Sequence, residues 1–329
     1  MRWKRAVVVG LLGFAVFAAV GLVPRPVHHE PEVPEIHDLD AWLAGKQAEA
    51  RAQGVGPGNE ERLLRVAEGR TPRAILYVHG FGASRAEGEA IVDRLAEDLG
   101  ANTLYTRLPG HGVQDPDVHA APAWTDHIDA VEEAFAATKL LGERVVLVGT
   151  SAGGLLATWL AAEHPEDVDA LVLASPFYDF ADPTATLLDR PIGPAVVRVL
   201  YGETRDASWK DDSEGRAGPH YGDHWTTTQR YAAVFTLAKV RRFIATDEVF
   251  ARVTAPTLLL CYYADEDHQD TAASVAAMRE AFAAFNGGTP HPASRFVPIA
   301  DGSHVLLSEH VRTDKQAVRA ALASFFASL

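Results

Sequence analysis

A fully apolar run at residues 145–149 leads directly into a serine between glycines, and this junction constrains the fold more than any other feature. A run without polar residues is typical of a strand buried on both faces of a parallel sheet. Residues 149–153 read Gly-Thr-Ser-Ala-Gly, and a helical pattern follows at residues 152–163. The sequence therefore predicts a buried strand, a sharp turn at Ser151 and a helix.

Short apolar runs alternate with helical patterns along most of the chain. The predicted strands lie at residues 63–66, 74–78, 102–108, 145–149, 170–174, 257–262 and 295–299. This alternation is typical of an α/β fold with a mostly parallel sheet flanked by helices. It is interrupted at about residues 176–255, a stretch rich in proline, glycine, tryptophan and charged residues. We expect this stretch to be a cap inserted between two strands of the sheet.

Ser151 is predicted to act as a nucleophile. A sharp strand-to-helix turn lifts the hydroxyl above the edge of the sheet, and the flanking glycines relieve crowding there. The amino end of the following helix also favours negative charge that develops at the turn. A serine that only caps a helix is the alternative. The buried strand before the serine, and Gly154 where the helix must pack closely on the sheet, favour the nucleophile.

The sequence His-Gly-Phe-Gly at residues 79–82 follows the strong predicted strand at residues 74–78. A backbone amide in such a loop can point toward the serine and pair with the amide after it to bind an oxyanion. We predict that the amides of Phe81 and Ala152 form this oxyanion hole. His79 is expected to support the loop rather than to take part in the chemistry.

Four segments of the sequence together resemble the α/β-hydrolases, namely residues 79–84, 108–112, 149–154 and 302–304. Within that fold family the chain is similar to the group that contains monoglyceride lipases and serine aminopeptidase-type hydrolases. The resemblance covers about residues 60–329. It implies the α/β-hydrolase fold, a Ser–acid–His triad in that chain order, and a cap between the sixth and seventh core strands, before the strand that leads to the acid.

Chain position selects His304 from the 14 histidines as the general base. It stands on a glycine-containing loop after the last predicted strand, where the order of the triad requires the histidine. His310, six residues later, is expected to be a surface group. We therefore predict that His304 accepts the proton of Ser151.

The acid of the triad is expected in the loop after the strand at residues 257–262, which carries several carboxylates. Counted from the start of that strand, the spacing of the family points to Asp265. Counted back from the following helix, Asp270 matches the family pattern, because two small apolar residues then precede the helix. The downstream side favours Asp270, with Asp265 and then Asp267 as the alternatives.

The amino terminus is predicted to be a membrane anchor. Arg2, Lys4 and Arg5 precede an uncharged run at residues 6–23, close to the minimum of about 17 residues that can span a bilayer. A cleaved signal peptide is the alternative. In either case the catalytic part is exported, because the basic end stays inside. An uncleaved anchor would hold it at the membrane outside the cytoplasm, and a cleaved signal would leave it periplasmic or secreted. The predicted organisation is an anchor or signal at 1–24, a linker with a short amphipathic helix at 25–59, and a hydrolase domain at 60–329.

The net charge of the chain limits the kinds of molecule that it can bind. The net charge of −14 argues against nucleic acid, whose binding depends on the neutralisation of phosphates. Together the motifs predict a serine hydrolase that cleaves small-molecule carboxylic esters through an acyl-enzyme, with no cofactor and no metal site. A peptidase or amidase with the same triad is one alternative, and a membrane-tethered binding protein without turnover is another. The sequence leaves the acyl length and the oligomeric state open.

Overall fold

A mostly parallel seven-stranded sheet organises the residues that the computed structural model describes, which are 23–28, 33–208 and 215–329. In chain order the strands are β1 (Arg62–Leu64), β2 (Thr71–Val78), β3 (Asn102–Tyr105), β4 (Gly142–Thr150), β5 (Val168–Ala174), β6 (Thr204–Asp206), β7 (Thr228–Arg230), β8 (Thr257–Tyr262) and β9 (Arg295–Ile299). The sheet has the order β1-β3-β2-β4-β5-β8-β9, in which only β1 is antiparallel to its neighbour. The strands β6 and β7 form a separate antiparallel ribbon.

Helices cover both faces of this sheet, as the alternating pattern predicted. In chain order they are α1 (Leu39–Ala52), α2 (Glu89–Leu99), α3 (Pro116–Ala120), α4 (Trp124–Lys139), α5 (Ala152–Glu163), α6 (Gly193–Tyr201), α7 (Tyr221–His224), α8 (Tyr231–Ile244), α9 (Asp247–Ala251), α10 (Val275–Gly288) and α11 (Lys315–Phe326). Buried side chains of α2 and α11 pack on one face, while those of α4, α5, α8, α9 and α10 pack on the other. The expected α/β architecture is confirmed.

Side chains of the central strands alternate between two hydrophobic cores, one on each face of the sheet. Ile75 and Val146 belong to the core beneath α2 and α11, whereas Leu76 and Leu147 belong to the opposite core. Successive side chains of a strand point to opposite faces, so a strand covered on both faces must be apolar throughout. β4 therefore lies at the centre of the sheet, between β2 and β5, and its carboxyl end carries Ser151 to the middle of the sheet edge.

The predicted cap corresponds to the residues between β5 and β8, here called the inserted segment (residues 175–256). It holds the helices α6 to α9 and the β6–β7 ribbon. We predicted an insertion between the sixth and seventh core strands, but in the described residues it separates the fifth and sixth strands of the sheet. The count from the family resemblance is therefore corrected, whereas the strands read from the residues themselves already placed five before the insertion.

The amino-terminal part of the described chain packs against the body. Asp38 caps α1, because its side chain accepts a hydrogen bond from the Ala41 amide at 3.0 Å. His28, in the predicted linker, lies 2.8 Å from a carboxylate oxygen of Asp129. No helix of the described ranges has the length and apolarity needed to cross a membrane. Apart from Val23, the predicted anchor run lies outside the described residues.

Candidate active site

Ser151 occupies a sharp turn between β4 and α5. Its φ of 52° and ψ of −116° are uncommon for a residue with a side chain, at a typical cost of about 1–3 kcal/mol. The turn is held by two backbone hydrogen bonds: the Ser151 amide donates to the Ala174 carbonyl at 2.9 Å, and the Ser151 carbonyl accepts from the Phe177 amide at 3.0 Å. This turn therefore holds the serine at the carboxyl end of the sheet, where ligands of open α/β sheets bind.

The glycines on either side of the serine allow this turn to form. A β carbon at Gly149 would lie 2.4 Å from the carbonyl oxygen of Gly153. A β carbon at Gly153 would lie only 2.0 Å from the carbonyl oxygen of Val78. Neither distance is possible for a side chain, so the glycines are required for α5 to pack directly against β2 and β4.

His304, in the loop after β9, connects Ser151 to Asp270. Its Nε2 lies 2.8 Å from Ser151 Oγ, and its Nδ1 lies 2.7 Å from Asp270 Oδ2. When Nδ1–H donates to the carboxylate, Nε2 carries the free lone pair and can accept the proton of the serine. The structure thus brings together the three side chains to which the sequence assigned the triad.

Asp270 is buried and held as a carboxylate. Its Oδ1 accepts hydrogen bonds from the amides of Ala272 and Ala273, each at 2.9 Å. Burial alone would raise the pKa of Asp270, but the neighbouring His304 and the amide donors outweigh burial and hold this pKa below its ordinary value. The group is therefore ionised at neutral pH, as an acid that orients an imidazolium must be.

The alternative acids lie elsewhere in the same loop. Asp265 is exposed, and its carboxylate lies 2.8 Å from Nδ1 of His268. It also accepts a hydrogen bond from the amide of Asp267 at 3.0 Å, and the side chain of Asp267 itself is exposed. The loop thus places Asp270, rather than Asp265 or Asp267, against His304.

The loop at residues 79–82 supplies one of the two predicted oxyanion donors, the Phe81 amide, and is held in place by His79. Nδ1–H of His79 donates to the Gly80 carbonyl at 2.8 Å, and its Nε2 accepts from the Leu108 amide at 3.0 Å. These bonds give His79 the supporting role expected for it. Within the described ranges, the amides of Phe81 and Ala152 donate to no other group and are free to bind an oxyanion.

Sequence reasoning did not identify Glu87, which is buried beside this loop. Its Oε2 accepts a hydrogen bond from the Gly80 amide at 2.6 Å and lies 3.3 Å from the Tyr77 hydroxyl. A glutamate in a helical pattern is typical of an exposed surface, so no local signal predicts this role. In the fold, Glu87 fixes the backbone immediately before the predicted oxyanion donor Phe81.

A cavity of about 120 Å³ opens above the serine, between the sheet edge and the inserted segment. From the sheet edge it is lined by Phe81, Glu87, Ser151 and His304, and from the inserted segment by Arg205, Thr226, Gln229 and Leu237, among others. The two sides touch directly, because the Thr226 amide donates to the Gly82 carbonyl at 2.7 Å. The inserted segment therefore forms the outer wall of the candidate active site.

A family model described as "Serine aminopeptidase, S33" matches residues 69–309, which is most of the chain. Those residues include the whole candidate site, from the loop at residues 79–82 to His304. The match agrees with the resemblance drawn from the sequence motifs.

Curated relatives match shorter stretches. A pimeloyl-[acyl-carrier protein] methyl ester esterase of Vibrio atlanticus is 35% identical over 135 residues, covering 40% of this chain and 47% of that protein. A thermostable monoacylglycerol lipase of Bacillus sp. is 30% identical over 95 residues, covering 29% of this chain and 37% of that protein. The matched regions thus span less than half the length of these relatives.

Solved structures share the fold over a longer range. A structure from the work on LipS and LipT, two metagenome-derived lipolytic enzymes, superposes with a TM-score of 0.67 at 18% identity, covering 84% of this chain and 100% of that chain. A monoacylglycerol lipase of Paleococcus ferrophilus superposes with a TM-score of 0.57 at 15% identity, covering 82% and 98%. At such identities the likeness shows the α/β-hydrolase fold alone.

Proposed function

Because the chain belongs to the serine aminopeptidase S33 family of α/β-hydrolases, we propose that it is a serine hydrolase of small-molecule carboxylic esters. The observation that carries this proposal is the unbroken hydrogen-bonded series from Ser151 through His304 to the buried Asp270, at the base of a cavity. The names of two relatives, a methyl ester esterase and a monoacylglycerol lipase, support esters over peptide bonds.

The first half of the reaction forms an acyl-enzyme. His304 Nε2 takes the hydroxyl proton as Ser151 Oγ attacks the carbonyl carbon of the ester. Negative charge moves to the carbonyl oxygen, where the amides of Phe81 and Ala152 donate hydrogen bonds to it. Asp270 keeps the imidazole in the required tautomer and stabilises the imidazolium. The tetrahedral intermediate collapses when His304 returns the proton to the leaving alcohol.

The second half releases the acid. Water enters the position that the alcohol has left, and His304 removes one of its protons as the oxygen attacks the acyl carbon. The second tetrahedral intermediate uses the same two amide donors, and it collapses to the carboxylic acid as His304 returns the proton to the departing Ser151 Oγ. The chain's own groups supply every step, so the proposal requires no cofactor.

Ser151→Ala tests the proposal with a short-chain p-nitrophenyl ester as substrate. Loss of a triad member typically costs on the order of 10⁴ to 10⁶ in rate, and we expect a loss in that range. Ser324→Ala, an exposed serine on α11, is the matched control and should retain full activity. A folded Ser151→Ala protein with more than about a tenth of wild-type activity would contradict the nucleophile assignment.

We also propose that the basic and apolar amino terminus exports the enzyme, as an anchor or a cleaved signal. The support is the run at residues 6–23 behind Arg2, Lys4 and Arg5. Fractionation of cells that express the full chain should place the enzyme with membranes or in an exported fraction. Recovery of the intact chain in the soluble cytoplasmic fraction would contradict this proposal.

A further inference from the structure

One cationic side chain of the inserted segment faces the cavity above Ser151. Arg205 is the central residue of β6 and pairs with Gln229 of β7 in the antiparallel ribbon. Both residues line the cavity that contains Ser151 and His304. Burial lowers the pKa of Arg205, but an arginine stays charged at any physiological pH. A positive charge therefore lies in the wall of the candidate active site.

Gln229 is the hydrogen-bond partner of this guanidinium. Nε and Nη2 of Arg205 both donate to Gln229 Oε1, at 3.1 and 2.8 Å. The amide of Gln229 is itself oriented, because its Nε2 donates to the Thr226 carbonyl at 3.0 Å. Among the described residues no carboxylate lies within 4.0 Å of the guanidinium, and Nη1 makes no hydrogen bond. Arg205 is thus held in position by a neutral group.

A second arginine of the same ribbon shows the contrast. Arg230, the neighbour of Gln229, forms ion pairs with Asp117 and Glu203 on the outer surface. An arginine that served only to join the ribbon to its surroundings would be expected to have such partners. Burial of a cation is costly without an opposite charge. Arg205 nevertheless lies in the wall of the cavity that contains the candidate nucleophile. There an anionic ligand can approach its Nη1, which makes no hydrogen bond in the described part of the chain.

We propose that Arg205 binds a carboxylate carried by the substrate, so that the enzyme prefers esters that also bear a carboxylate group. The inference rests on the proposed ester hydrolysis and specifies its substrate class. A guanidinium edge donates two parallel hydrogen bonds to a carboxylate, and a single cation matches a single negative charge. The body of the protein, with its net charge of −14, would repel such a substrate without a local cation.

Two esters of equal chain length test the proposal in the full chain. Mono-p-nitrophenyl adipate carries a terminal carboxylate that p-nitrophenyl hexanoate lacks. Arg205→Met should lower the ratio of kcat/KM for the charged ester to that for the neutral ester by about 10- to 100-fold, as expected for a charge-assisted hydrogen-bonded pair. Arg205→Lys should retain part of the ratio. Arg230→Met, the matched control, should leave it unchanged within about twofold.

The outcomes separate this inference from the proposed function. An unchanged ratio in Arg205→Met, or equal losses on both esters, would assign Arg205 a structural role and overturn the inference. If Arg205→Met does not fold, Arg205→Gln, which also removes the charge, replaces it, and a ratio equal to that of the wild type overturns the inference. If the wild type cleaves neither ester, the proposed function fails, and calorimetry on Ser151→Ala decides the inference. Monomethyl adipate should then bind at least tenfold more tightly than methyl hexanoate, and equal affinities would overturn it.

Discussion

The edge of the central sheet and the inserted segment face each other across one cavity, but different forces position their side chains. Ser151 and its flanking glycines are fixed by close backbone packing, as the 2.0 Å approach of a β carbon at Gly153 to the Val78 carbonyl shows. Arg205 and Gln229 are fixed by side-chain hydrogen bonds within a three-residue ribbon. We therefore propose that the sheet edge carries the chemistry and that the inserted segment selects the substrate.

The largest expected effect lies at the sheet edge and separates two carboxylates of one loop. Asp270→Asn should lower kcat by roughly 10⁴, because the imidazole of His304 loses control of its tautomer. Asp265→Asn should cost about tenfold or less, through the electrostatic field of the loop alone. Both variants are assayed on the same short-chain ester, with circular dichroism as the check of folding. A large loss in Asp265→Asn beside a mild one in Asp270→Asn would reverse the assignment.

Backbone packing beneath the nucleophile gives the next largest effect, on stability. Gly153→Ala should reduce the free energy of unfolding by about 3 kcal/mol or more, because its β carbon meets the Val78 carbonyl and the backbone must move. Gly45→Ala is the control: it lies within α1 with no atom near its β carbon, and should stabilise by about 0.5–1 kcal/mol. Denaturant unfolding measures both. Equal stability of Gly153→Ala and wild type would refute the packing argument.

Buried histidines in and around the 79–82 loop predict a fall in stability on mild acidification. Burial lowers the pKa of His79, His119 and His127 to about 4, below the unfolded value of about 6.5. The unfolded chain therefore binds more protons between pH 6.5 and 4, so the free energy of unfolding is largest above pH 6.5 and falls as the pH drops toward 4. Between pH 7 and pH 5 the loss is on the order of 2 kcal/mol per histidine. Unfolding at pH 7 and pH 5 measures it.

His119 allows a sharper version of the same test. Both of its ring nitrogens are buried without a hydrogen-bond partner in the described part of the chain. His119→Phe should therefore be tolerated at pH 7 and should reduce the difference in stability between pH 7 and pH 5. His220→Phe, at an exposed position in the inserted segment, should leave that difference unchanged. An identical pH dependence in His119→Phe and wild type would show that this ring does not contribute.

The smallest expected effect lies on the outer surface of the inserted segment. Arg230→Met removes exposed ion pairs to Asp117 and Glu203, and exposed pairs contribute little because water and salt screen them. We expect the melting temperature to change by no more than about 2 °C and esterase activity to be unchanged. A loss of several degrees, measured by differential scanning calorimetry, would mean that these pairs hold the segment in place.

The sequence predicts the nucleophile turn at the sheet edge because the residues that form it are contiguous in the chain. An apolar strand, a glycine on either side of the serine and a helix are contiguous, so the position of Ser151 can be inferred without a structure. The distance from the following helix favours Asp270. In the fold its carboxylate accepts hydrogen bonds from the amides of Ala272 and Ala273, just before that helix. The downstream side of this loop thus predicts which carboxylate lies against His304, because extra residues are absorbed after the strand.

The inserted segment and Glu87 could not be predicted in the same way. Arg205 and Gln229 lie 24 positions apart in two strands of three residues, too short for an alternating pattern to reveal them. Glu87 accepts a hydrogen bond from the Gly80 amide, a contact that depends on how the loop at residues 79–82 folds. The tertiary fold determines the contacts of these residues, and a single sequence contains no periodic signal for such contacts.

Covalent trapping of the nucleophile tests the central claim most directly. The wild-type chain is treated with a fluorophosphonate, digested and examined by mass spectrometry. We predict one phosphonyl adduct, on the peptide that contains Ser151, and much slower formation of that adduct in His304→Ala because the serine then lacks its base. An adduct on another residue, or no adduct on the folded wild-type protein, would contradict the assignment of Ser151 as the nucleophile.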